Sequence, residues 1–181
     1  MRPALAMPLL AALAGTPASA HVSLETQTAA ANATYKAVLR VPHGCAGAAT
    51  TRIVVTLPDG ALSARPMPKP GWRLSTTRRP LEAPIPDGHG GTVRDTVATV
   101  AWEGGPLPDE HYDEFILVFR TPDRAGETIH LPTVQHCEGG AIASWTEIPV
   151  PGRRVTDYRQ PAPALRLLPA RGANPVREGA E

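Results

Sequence analysis

A histidine that begins a chain offers a metal two nitrogens from one residue, and this sequence is laid out to produce one. His21 follows Ala18-Ser19-Ala20, which in turn follows Arg2 and an apolar run over residues 4–14. A charged start, an apolar stretch and a small-residue cleavage site in that order read as a removable export signal over residues 1–20. The run falls well short of the roughly 20 residues that a bilayer-spanning helix needs, and Gly15, Thr16 and Pro17 interrupt it. Cleavage after Ala20 would leave the α-amine and Nδ1 of His21 able to close one chelate ring. Cu(II) accepts a tetragonal set of nitrogen and oxygen donors and stands near the top of the divalent affinity order, so such a residue selects it over zinc or magnesium. The amine must lose its proton to bind, so affinity would fall in acid.

One chelating residue is not a complete site, and a further donor must come from a carboxylate or another histidine. The other histidines are His43, His89, His111, His130 and His136. His130 and His136, six apart, could share one sheet face, although ordinary strand histidines are the simpler reading. His43, in Pro42-His43-Gly44-Cys45, is expected to hydrogen-bond within a turn, and His89 falls in a presumed loop. His111 is the best extra candidate, because it lies in the acidic stretch Asp109-Glu110-His111-Tyr112-Asp113-Glu114; a solvated turn explains that stretch equally well. Trp72, Trp102 and Trp145 are expected in core or inter-sheet packing. No G-x-S-x-G, H-E-x-x-H or P-loop pattern points to hydrolysis.

The elements that must position these residues are strands. Twenty-one prolines and sixteen glycines are spread along 181 residues, which leaves few windows long enough for a helix. Runs rich in β-formers at 35–41, 51–57, 72–76, 92–102, 114–120, 129–135 and 143–148 end at proline or glycine turns. In 92–102, Val93, Asp95, Val97, Thr99 and Ala101 are expected to face one way. Seven or eight strands in one domain predict an all-β, two-sheet antiparallel β-sandwich, immunoglobulin- or cupredoxin-like. Residues 78–91 read as a surface loop, and 151–181, rich in Pro, Ala and Arg, as a disordered tail. The domain is therefore expected over 21–150.

Removing 20 residues from 181 takes the net charge from +1 to zero, so nothing electrostatic suggests a nucleic acid or an anionic membrane as partner. Cys45 and Cys137 are the two cysteines. In an exported domain such a pair points to one disulfide; a thiolate copper or redox site is the alternative, against which stands the absence of a C-x-x-C pairing.

Several segments together resemble the YcnI-like family of exported bacterial copper-binding domains. They are His21-Val22-Ser23-Leu24, Val41-Pro42-His43-Gly44-Cys45, Pro66-Met67-Pro68-Lys69-Pro70-Gly71-Trp72, and Leu107-Pro108-Asp109-Glu110-His111-Tyr112-Asp113-Glu114-Phe115. Two more follow, Gln135-His136-Cys137-Glu138-Gly139-Gly140 and Trp145-Thr146-Glu147-Ile148-Pro149. The resemblance covers about residues 21–149. It implies a β-sandwich with Cys45 paired to Cys137, binding one Cu(II) through a single-histidine brace: the amine and imidazole of His21, a carboxylate from Glu114, and Trp145 beside the metal. Asp113 and Glu147 compete with Glu114, and strand alternation lets only one of Asp113 and Glu114 face the site. Members of the family often carry a C-terminal transmembrane helix, for which the polar 151–181 stretch is no match, so a periplasmic or secreted protein without a membrane span is expected.

The expected function is that of a copper carrier that hands its ion to an importer or a metalloenzyme assembly protein, and not that of an enzyme. The rivals are a brace-type copper oxidase or oxygenase, which uses a second histidine where this chain offers glutamate, and a structural sandwich with an incidental histidine.

Overall fold

The computed structural model describes residues 21–86 and 90–170. The expected signal over 1–20, His89 and the tail beyond 170 lie outside the described residues. Twelve strands follow one another: β1 (Ser23–Leu24), β2 (Thr28–Ala30), β3 (Thr34–Val41), β4 (Thr50–Thr56), β5 (Leu62–Pro66), β6 (Trp72–Pro86), β7 (Thr92–Leu107), β8 (Asp113–Arg120), β9 (Thr128–His130), β10 (Thr133–Cys137), β11 (Ile142–Trp145) and β12 (Ala164–Leu168). Two sheets form the sandwich, ordered β1-β3-β8-β5 and β11-β10-β4-β7-β6. A third, of order β2-β12-β9, is an addition to the expected pair.

Strand alternation builds the core. Tyr35, Ala37, Leu39 and Val41 of β3 turn inward, as do Phe115, Leu117 and Phe119 of the paired β8. Of the intervening residues Lys36 is exposed and Arg40 half-buried, while Val38 is buried as well. Burying a side chain of this size contributes about 1.5–3 kcal/mol. Phe115 links the two sheets: its ring meets Trp72 of β6 at 5.0 Å and Trp102 of β7 at 5.5 Å, both edge-on. Trp72 and Trp102 therefore take the packing role expected of them.

Four expectations are corrected. The 78–91 loop is in large part strand, since β6 runs on to Pro86 and pairs Arg79 with Thr96 and Pro86 with Thr92. β6 is the edge of its sheet, where prolines that cannot donate to a ladder are tolerated. Within β7 the facing changes midway: Val97 is buried, but so are Val100 and Trp102, because the register slips between Thr77 and Arg78 and reverses the alternation. The run 129–135 is two strands, broken at Leu131-Pro132, which puts His130 in the third sheet and His136 in the second. They share no face.

The fourth correction concerns the tail. β12 lies between β2 and β9, parallel to the former, with Leu165 and Leu167 fully buried. Proline and arginine dominate the composition there, but two leucines at i and i+2 suffice to give a strand an inward face. The domain thus extends beyond residue 150.

Candidate functional site

The segment carrying His21 is held by its neighbours. Val22 and Leu24 are buried in the core, and β1 pairs Ser23 with Arg40 and Leu24 with Leu39. His21 is left half-buried at the end of the sandwich, with its ring edge-on to Trp145 at a centroid distance of 5.2 Å and an angle of 86°. Nε2 of His21 lies 3.2 Å from the carbonyl oxygen of Arg159. A carbonyl can only accept, so Nε2 carries the proton, and in the neutral ring the lone pair sits on Nδ1. That is the nitrogen able to chelate together with the residue's own main-chain nitrogen.

Trp145 closes β11 and is fixed through its indole. Nε1 donates to Oε1 of Gln135 at 3.2 Å, and the amide nitrogen of Gln135 donates to the His43 carbonyl and to Oγ1 of Thr50, both at 2.7 Å. Gln135 is only 1% exposed, so a single buried amide ties the Trp145 ring to β4 and to the loop before the disulfide. In that loop Nδ1 of His43 donates to the Gly44 carbonyl at 2.6 Å, the local role expected of it. A Cβ on Gly44 would sit 2.0 Å from the Ala48 carbonyl oxygen, so only glycine allows the loop to close this tightly. Cys45 and Cys137 are bonded, with Cα atoms 6.0 Å apart.

Trp145, Glu147, Arg159 and Gln160 line a shallow depression beside His21. Glu147 accepts the Gln160 backbone N–H on Oε2 at 2.5 Å, and the two backbones run side by side through the Glu147–Pro161 bridge. The chain after residue 158 is therefore drawn back across the end of β11.

Glu114 lies at the same end of the molecule. The registers β1–β3 and β3–β8 align Ser23, Arg40 and Glu114 in one row across the sheet, with His21 two residues before Ser23. Two strand spacings put the backbones of Ser23 and Glu114 roughly 10 Å apart. Half-buried Glu114 accepts a short hydrogen bond from the Tyr112 hydroxyl. The Tyr112 phenol is raised above its ordinary value, first by desolvation and then by this bond and the Glu114 charge. Asp113 is otherwise engaged: Oδ1 takes the Lys69 ammonium at 2.6 Å and the Glu114 backbone N–H at 2.8 Å. His111 is exposed in a turn, its N–H bonded to the Pro108 carbonyl at 3.1 Å. The half-buried His130 imidazole is pushed below its ordinary value by burial.

The structure thus sets His21 against Trp145, whose depression Glu147 also lines, and sets Glu114 at the same sheet end. It scatters His43, His130 and His136. Among the described residues no three or more His, Cys, Asp or Glu side chains are grouped to hold a metal ion. A donor set of one amine, one imidazole and one carboxylate would use only two side chains, and His21 and Glu114 stand at the same sheet end. Sequence reasoning missed Gln135, Tyr112 and the 159–160 segment. Gln135 left a trace, as a polar residue on the inward parity of Thr133 and Cys137; Gln160 left none.

Comparison with known proteins places this arrangement. The model of the family "Domain of unknown function (DUF1775)" matches residues 21–167. The copper-binding protein CutI of Bacillus subtilis is 28% identical over 132 residues, covering 72% of this chain; the chain spans 57% of the length of that relative. A crystal structure of an uncharacterized protein from Nocardia farcinica, described as having an immunoglobulin-like fold, is 25% identical and superposes with a TM-score of 0.63 over 82% of this chain and 98% of that one. The match from His21 to Leu167 begins at the proposed ligand and takes in β12, and the chain belongs to the DUF1775 family, the YcnI-like family that its motifs resemble.

Proposed function

We propose that this protein is an exported copper carrier that binds one Cu(II) through the α-amine and Nδ1 of His21 once residues 1–20 are removed. The observation that carries the reading is the setting of His21: its ring against Trp145 and its Nε2 donating to the Arg159 carbonyl, which leaves the chelating nitrogen as the acceptor. The likeness to a copper-binding protein supports the choice of metal. In the uncleaved chain the His21 nitrogen is an amide, so signal removal creates the ligand.

Glu114 supplies the carboxylate, oriented by the Tyr112 hydroxyl. Glu147, whose Oε2 accepts the Gln160 N–H, serves the backbone and not the ion. Trp145 stands edge-on to the imidazole and packs against it. One residue's two nitrogens and one carboxylate leave coordination positions for a recipient's ligand, which suits handover to an importer or a metalloenzyme assembly protein. The disulfide accords with export. A carrier needs no second imidazole, and His21 is the histidine whose ring meets Trp145.

Intact mass of the exported protein should show a chain beginning at His21. Anaerobic Cu(II) titration followed by electron paramagnetic resonance should then give one copper per chain, a spectrum lost in His21→Ala and altered in Glu114→Gln. An unchanged spectrum in either variant would remove that residue from the site, and reductant-driven oxygen consumption far above that of free copper would turn the reading toward an oxidase.

A further inference from the structure

The chain from Arg159 to Ala162 makes more polar contacts at this end of the fold than a passing connection requires. Gln160 accepts the Ser144 N–H on its side-chain Oε1 at 2.9 Å. Its backbone carbonyl accepts the Glu147 N–H at 3.1 Å, and its own N–H is held by the Glu147 carboxylate at 2.5 Å. Ala162 N–H then donates to the Glu147 carbonyl at 2.8 Å, and Pro161, Ala162 and Pro163 are buried. Four hydrogen bonds therefore fix the carbonyl one residue earlier, that of Arg159, which receives Nε2 of His21.

We infer that residues 159–162 are a strap that sets the tautomer and the direction of the His21 imidazole, with Gln160 as its positioning residue. The inference rests on the His21 copper reading for its purpose but not for its geometry. The carbonyl of Arg159 does for His21 what an outer hydrogen-bond partner does for a metal-binding histidine: it holds the proton on the far nitrogen, stops the ring from turning, and makes the near nitrogen more basic. The backbone carbonyl of Arg159 meets the His21 ring, whereas Gln160 acts through its side chain. Glutamate at 160 keeps an oxygen acceptor for Ser144, and alanine does not.

The test uses the protein beginning at His21 and two readouts. In the copper-free protein at about pH 8, where imidazole is neutral, 15N NMR should show His21 in the single Nε2–H tautomer for the wild type, Arg159→Ala and Gln160→Glu, and a tautomer mixture for Gln160→Ala. Cu(II) titration should give a dissociation constant raised roughly ten- to a hundred-fold in Gln160→Ala and restored toward wild type in Gln160→Glu. A single Nε2–H tautomer and wild-type affinity in Gln160→Ala would overturn the strap, and so would loss of the tautomer in Arg159→Ala. If the wild type binds no Cu(II) while the tautomer still responds to Gln160→Ala, the strap stands and the copper reading falls. Should Gln160→Ala fail to fold, Arg159→Ala and the wild-type tautomer still decide the matter.

Discussion

Trp145 depends on a single amide. Gln135 takes the indole proton on its oxygen and gives its own protons to His43 and Thr50, all with almost no access to water. Replacing it by leucine would bury a donor and two acceptors without partners, and each such group costs about 1–3 kcal/mol. Gln135→Leu should therefore lower unfolding stability by about 3 kcal/mol in urea titration, with the Trp145 emission shifted. A loss under about 1 kcal/mol would mean that the network does not hold the ring. Copper affinity should fall as pH drops below about 8, because the free amine takes up a proton in place of the ion; a titration flat between about pH 8 and 5 would rule out the amine. At this scale the sequence was legible where local geometry decides, as in the turn role of His43 or the inter-sheet packing of Trp72 and Trp102. It was silent on which distant side chain meets which. Nothing local to His21 announces Trp145 or the Arg159 carbonyl.

Strands read well from the sequence when both of their faces are simple. β3 alternates except at Val38, which is also buried, and the buried end of that alternation has its own pH signature. Tyr35, 6% exposed, donates its hydroxyl to the Thr26 carbonyl at 2.5 Å, and burial first, with the Glu25 charge second, pushes its phenol up to about 12. The unfolded phenol ionises near 10, so the unfolded chain binds fewer protons between pH 10 and about 12. The stabilisation from neutral Tyr35 is complete below pH 10 and declines as pH rises toward 12. Tyr35→Phe should flatten the alkaline limb of the stability curve over that window; an equally steep limb would assign it to other groups. β6 and β12 were harder to read, for opposite reasons. Prolines disguised β6, although an edge position excuses them, and polar neighbours disguised β12, whose hydrophobic signal is two leucines.

Two links far apart in sequence hold the domain as one body. The disulfide spans 92 residues and ties the loop before β4 to the end of β10. Closing a loop of that length restricts the unfolded chain by an amount equivalent to about 4–5 kcal/mol on the chain-entropy model. Cys45→Ser with Cys137→Ser should lower stability by several kcal/mol in denaturant titration, and a change near zero would show residual order in the reduced unfolded chain. The second link is β12, which joins β2 near the start of the domain to β9. Leu165→Ala empties a fully buried position and should cost about 2–5 kcal/mol. A substitution without effect would return residues after 160 to the status of a tail. No helix among the described residues is long and apolar enough to cross a membrane.

Composition and local pattern were enough for an all-β fold and for most of the strands, because proline, glycine and strict alternation act over a few residues. The lone pair of cysteines pointed to the Cys45–Cys137 disulfide, and the resemblance of short motifs supplied the family. Folding alone settled the rest: that the chain after residue 158 returns over β11, that a carbonyl there meets the His21 ring, and that Gln135 pins Trp145 beneath it. Those contacts join residues that are remote along the chain, and their partners are backbone groups or a lone amide, chemistry common to every position and therefore marked at none.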